Sequence, residues 1–291
     1  MQVVIHAGAH MTDDDRLIQC LLENKERLSA IGTDVPDPRV YRKLLRDILN
    51  AAMKSGINDE ARDIVLDTIN HDPAADRLIL SNQGFFGTQK MAVGQGQLYP
   101  QAAARMEAFR QIFPNDDIEF FVGLRDLATF FPAILPKTPF ETMTDMLNGV
   151  DPGAFRWTDM VRRLREAHPD MPMTIWCNED TPLIWGQVVR ELAGLDPNAS
   201  FQGEYMLIKE IMTGEGVQRF ETYMASQPDM TEIQKRRVIV AFLDKFVKEE
   251  EIEEELDLPG WSEELIDRLS EIYDEDVFEV ARVSGVNMIA P

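Results

Sequence analysis

The residue types able to do chemistry fall in four short stretches. The first, His6-Ala7-Gly8-Ala9-His10-Met11-Thr12-Asp13-Asp14-Asp15, packs two imidazoles, a hydroxyl and three carboxylates into one turn. The others are Ser81-Asn82-Gln83-Gly84-Phe85, Arg125-Asp126, and Trp176-Cys177-Asn178-Glu179-Asp180. His10 and Glu179 are the candidate proton-transfer residues, since an imidazole titrates near neutrality and a buried carboxyl can be tuned toward it. Gln83 cannot take a proton at neutral pH. Gly8, Ala9 and Thr12 form the kind of turn whose backbone holds an anion at a helix N-terminus. The side chains have the opposite sign: a carboxylate about 4 Å from a phosphate costs a few kcal/mol at an effective dielectric near 20.

Ordinary helix-end physics offers another use for these carboxylates. Thr12 as N-cap with Asp15 three positions later reads as a capping box, and Asp13 and Asp14 in the first turn suit the helix dipole. A metal site from His6, His10 and the aspartates stays open as a minor alternative. No spacing specific to one metal is present, so no metal is assigned. His6 and His10 also read as hydrogen-bonded structural residues, and His71 and His168 as helix caps. Arg125 reads either as an anion-binding group or as the partner of Asp126, Glu179 or Asp180.

The elements that must position these residues alternate. Val3–His6, Arg77–Ser81, Ile118–Leu124 and Met173–Cys177 are apolar runs of strand length. Helical spacing fills the intervals: 14–30, 41–55, 58–70, 100–113, 126–135, 139–148, 154–168 and 182–194. From Tyr205 the chain reads as helical, near 203–226, 231–248 and 262–273, with Glu249–Glu255 as a solvated acidic linker. This order predicts a three-layer α/β/α core with a mainly parallel sheet over residues 1–200. A helical C-terminal part over 201–291 packs on it as one domain overall. Ligands of such sheets bind beyond the carboxyl ends of the strands, where all four chemical stretches lie.

Several of these segments resemble those of bacterial sulfotransferase-like proteins. In that family a strand ending His-x-Gly-Ala leads into a Lys-Thr-Gly-Thr-Thr loop that holds the 5′-phosphosulfate of 3′-phosphoadenosine 5′-phosphosulfate (PAPS). A leucine-rich amphipathic helix and a Gly-x-x-x-Pro turn follow, matched here by Leu21-Leu22-Glu23-Asn24-Lys25 and Gly32-Thr33-Asp34-Val35-Pro36. Trp176–Asp180 and Leu258-Pro259-Gly260-Trp261 are similar to later family segments. The resemblance implies a P-loop-hydrolase-like sulfotransferase fold. It also implies that Gly8, Ala9, Thr12 and Arg125 would contact PAPS, Arg125 through the 3′-phosphate. The family's lysine is here Met11, its loop glycine Asp13, its threonine pair Asp14 and Asp15, and the serine eight residues after the arginine Ala133. Restoring Met11→Lys, Asp13→Gly, Asp14→Thr and Asp15→Thr is therefore expected to improve nucleotide binding.

Composition narrows the rest. Of 291 residues, 51 are acidic and 29 basic, a formal charge of -22 that disfavours nucleic acid and anionic membranes as partners. Such a field also opposes capture of a polyanion unless a local basic pocket overcomes it. Cys20 and Cys177 form neither a metal motif nor a disulfide framework and read as core residues. No basic leader or long apolar run is present, so a cytoplasmic location is expected. The sequence carries no Ser-His-Asp order, zinc spacing, dinucleotide fingerprint or nucleotide-triphosphate loop. The function expected is that of a degenerate sulfotransferase-like protein that binds a small molecule, nucleotide or protein partner. The alternatives are an active PAPS-dependent enzyme transferring sulfuryl to a hydroxyl or amine, and an interaction protein whose cleft is closed by side chains.

Overall fold

A computed structural model describes residues 1–248 and 258–291; the acidic run Glu249–Glu255 lies outside the described residues. The N-terminal half contains β1 (Gln2–His6), α1 (Arg16–Glu23), α2 (Lys25–Ala30), β2 (Thr33–Asp34), α3 (Pro38–Ser55), α4 (Ala61–Ile69) and β3 (Arg77–Ser81). A small hairpin, β4 (Val93–Gly94) and β5 (Gln97–Leu98), precedes α5 (Ala102–Ile112), β6 (Asp117–Leu124), α6 (Leu127–Ile134) and α7 (Met143–Met146). Then come α8 (Trp157–Ala167), β7 (Met173–Cys177), α9 (Thr181–Ala193), α10 (Met206–Ile211), α11 (Gly214–Ser226), α12 (Glu232–Phe246), α13 (Glu263–Val280) and β8 (Val286–Ile289).

Six strands form one sheet in the order β2-β3-β1-β6-β7-β8, and every pairing within it is parallel. Alternate strand residues feed two apolar layers. Val3, Ile5, Leu78, Leu80, Phe120 and Val122 face the side covered by α3, α4, α5, α6, α8 and α13. Val4, Ile79, Phe121 and Trp176 face α1, α2 and α9. Burial on both faces explains why these strands read as continuous apolar runs. The three-layer α/β arrangement with its parallel sheet is as the alternation predicts.

Local chemistry sets the boundaries. Asp37 accepts from the Arg39 N–H and Pro38 occupies the first turn, so α3 starts at the proline, three residues before the amphipathic pattern begins. The single helix expected over 14–30 breaks at Asn24. Its side chain donates to the Cys20 and Gln202 carbonyls and accepts from the Gln202 N–H, which ties this joint to the C-terminal part. The helix expected over 139–148 shrinks to one turn, α7, capped by Thr142.

The C-terminal part departs from the all-helical expectation. Val286–Ile289 returns to the sheet as its edge beside β7, because the parallel β7 edge leaves backbone groups that a short apolar segment can pair. Trp261 is buried against Phe131 and donates its indole N–H to the Ala128 carbonyl at 2.9 Å. Helices α10 to α12 enclose a third, smaller cluster of Ile208, Met212, Phe220 and Ile239. Among the described residues no helix is long and apolar enough to cross a membrane.

Candidate functional site

The loop after β1 is an extension of the sheet rather than an open cradle. The Ala7 and Ala9 N–H groups donate to the Phe121 and Gly123 carbonyls at 3.0 and 2.8 Å, and the Gly123 N–H returns a bond to the Gly8 carbonyl at 2.7 Å. Gly8 sits at φ +104°, and a side chain there would meet the His10 nitrogen at 3.1 Å and the Gln83 carbonyl oxygen at 3.3 Å. The glycine thus permits close approach of two protein loops, where the family pattern would use it for approach to a ligand.

Further along, two more backbone donors have protein acceptors. The His10 N–H donates to the Tyr99 hydroxyl at 2.9 Å and the Met11 N–H to Gln83 Oε1 at 3.2 Å. Thr12 is not an N-cap; its hydroxyl donates back to the Ala9 carbonyl at 2.8 Å. Asp15 occupies the N-cap position of α1 in the left-handed region (φ 65°), with no side-chain bond to the helix. The capping box is therefore replaced by a different device. Asp13, 6 % exposed, accepts from the Leu17 N–H at 3.3 Å and from Gln83 Nε2 at 3.1 Å. Asp15 instead holds Arg42 of α3 through two bonds of 2.6 and 2.7 Å, and the guanidinium keeps its carboxyl below the usual range. Asp14 is exposed beside Arg16.

Arg125 bridges the β1 loop and α6: its Nη1 donates to the Met11 carbonyl at 2.6 Å and its Nε to Thr129 at 2.9 Å. Glu179 accepts from the Asp126 N–H and the Tyr273 hydroxyl, each at 2.9 Å, and joins the ends of β6 and β7 to α13. His6 is buried, bonded to Ser81 at 2.8 Å and stacked on Trp176, and burial lowers its pKa. His71 pairs with Asp34, and His168 bonds the Ala103 carbonyl. Cys20 and Cys177 are buried free thiols. Among the described residues no group of three His, Cys, Asp or Glu could hold a metal ion.

A cleft of about 780 Å³ opens beside this loop, beyond the carboxyl ends of β1 and β3. Of the expected site residues, His10 alone lines it; Gly8, Ala9, Thr12, Arg125 and Glu179 do not. Its wall is the polar face of α3, bearing Arg39, Arg42, Lys43 and Arg46, and Arg105 of α5 adds a fifth cation. Asp14 and Asp15 are the two carboxylates of the lining. Arg39, Arg42 and Arg46 pair with Asp37, Asp15 and Asp47, whereas Lys43 and Arg105 have no carboxylate partner among the described residues. The cationic row was legible: positions 39, 42, 43 and 46 recur at helical spacing opposite the buried Tyr41, Leu45 and Leu49. A chain so acidic overall draws attention away from it, and Arg105 gives no sequence signal because only packing brings α5 to this floor.

His10 is 1 % exposed, and burial pushes its pKa down to about 4. Its Nδ1 lies 2.7 Å from the Tyr99 hydroxyl, which already accepts from the His10 N–H. Held neutral by burial, the imidazole is too weak a base to activate an acceptor near neutral pH.

Compared with protein-family models, curated proteins and solved structures, the chain gives no significant match in any of the three.

Proposed function

We propose that this protein is a sulfotransferase-like α/β protein that does not use PAPS and instead binds a small anionic ligand in the strand-end cleft. One observation carries the reading: the donors of the β1 loop, at Ala9, His10 and Met11, are each taken by a protein acceptor. Two loop carboxylates, Asp13 and Asp15, are fixed in place by Gln83 and Arg42. A sulfuryl donor seated there would have to displace the bonds that hold the loop and meet negative charge in a site that must neutralise it. The basic wall of α3 supplies the attraction that the loop lacks, against the field of the whole chain. This makes a binding role the better-supported one, and it leaves His10 and Glu179 as structural donors and acceptors without catalytic duty.

The test is calorimetric titration of the purified chain with adenosine 3′,5′-bisphosphate, together with a sulfuryl-transfer assay using PAPS. Binding weaker than about 1 mM and no turnover are expected. Micromolar binding, or any turnover above background, overturns the reading.

A further inference from the structure

The cleft's lining says what kind of anion it suits. Two buried side chains line it, Arg105, 3 % exposed, and His10, 1 % exposed; Arg105 Nε and His10 Nε2 have no partner among the described residues and are themselves shielded from solvent. Arg105 is held by one bond only, from Nη2 to Asn50 at 2.9 Å. A buried guanidinium left partly unpaired is unfavourable unless an acceptor completes it, so the floor is built for an oxyanion. Lys43 adds a cation without a carboxylate partner on the adjoining wall.

The remainder is mostly polar; Asp14 and Asp15 are its two carboxylates, and Asp15 is already paired with Arg42. Asn50, Asn82, Thr88 and Gln89 present amides and a hydroxyl. Among the described residues no Phe, Tyr or Trp lines the space, so a nucleobase finds no large aromatic face on which to stack. A volume of about 780 Å³ exceeds what inorganic phosphate fills and lies within the range of metabolite pockets.

Resting on the binding role above, we propose that this cleft recognises a polyhydroxylated anion of the sugar-phosphate or sugar-acid class. Arg105 and Lys43 take the charged group, and the amides of Asn50, Asn82 and Gln89 take ring hydroxyls. Arg42 is already committed to Asp15 and orients the wall rather than the ligand.

The full chain is titrated calorimetrically with glucose 6-phosphate, glucuronate, glucose, inorganic phosphate and adenosine monophosphate. At least one sugar anion is expected to bind about tenfold or more tightly than glucose and inorganic phosphate, and the arm that binds identifies the charged group. Lys43→Gln and Arg105→Gln should each weaken that binding about tenfold, the loss expected for one charge-assisted hydrogen bond. Lys43 is exposed, so its variant keeps the test valid should the Arg105 variant fail to fold. The assignment is overturned if neither sugar anion outbinds phosphate, if adenosine monophosphate binds as tightly, or if Lys43→Gln binds like the parent. Titration with adenosine 3′,5′-bisphosphate in the same series separates the two proposals. Its binding defeats the PAPS-free reading, whereas silence toward both nucleotide and sugar anions defeats this assignment alone.

Discussion

Acid should destabilise this protein through His10 in a way that one substitution removes. The ring is 1 % exposed, and burial alone lowers its pKa from 6.5 to about 4, with no charged neighbour to offset it. In the unfolded chain it takes a proton below pH 6.5, whereas the folded state refuses one until about pH 4. Stability from this group is therefore full above the unfolded value and is lost as pH falls through the window between the two. The slope approaches about 1.4 kcal/mol per pH unit, and the total loss by pH 4 is about 3 kcal/mol. The measurement is urea unfolding followed by tryptophan fluorescence, for the parent and His10→Gln, at several values from about pH 7 to about pH 4. His6, also lowered by burial, contributes in both proteins and cancels in the comparison. The parent should lose about 3 kcal/mol more than the variant across the window. Curves that stay parallel to within about 0.5 kcal/mol would refute the buried neutral imidazole.

Two further outcomes follow from the same packing. The variant combining Met11→Lys, Asp13→Gly, Asp14→Thr and Asp15→Thr is expected to lose on the order of 3 kcal/mol and gain no affinity for adenosine 3′,5′-bisphosphate, by urea unfolding and calorimetry. It removes the acceptor for the Leu17 N–H and the partner of Arg42, and puts β-branched residues at φ 47° and 65°. Arg190, 2 % exposed, lies 2.9 Å from Glu204 and 2.6 Å from Glu232, joining α9 to the C-terminal helices. Arg190→Met should cost about 3 kcal/mol in urea unfolding, because buried carboxylates lose a cation; a loss under about 1 kcal/mol would mean that Lys235 alone suffices.

The quadruple variant shows where the residues by themselves mislead. From sequence, the aspartates are intruders in an anion loop, and replacing them looks like repair. In the folded chain two of the three have a neighbour distant in sequence: Gln83 for Asp13 and Arg42 for Asp15. Arg125 gives the same lesson, since one of its acceptors is the Met11 carbonyl, far away in sequence.

What the residues determined unaided were the elements whose signal is local. The strands at Arg77–Ser81 and Met173–Cys177 fall where unbroken apolar runs end in turn residues, and most helices lie where apolar residues recur at helical spacing. The strand-end position of the cleft followed too, because alternating strands and helices admit few parallel arrangements. Tertiary structure decided what depends on partners far along the chain. Val286–Ile289 becomes a strand because β7 offers it an unpaired edge, and Arg105 reaches the cleft because α5 packs against α3, where Asn50 accepts from it. Hydrogen-bond donors and charges are consumed or left open by whichever groups the fold brings beside them, and that cannot be read from spacing along one segment.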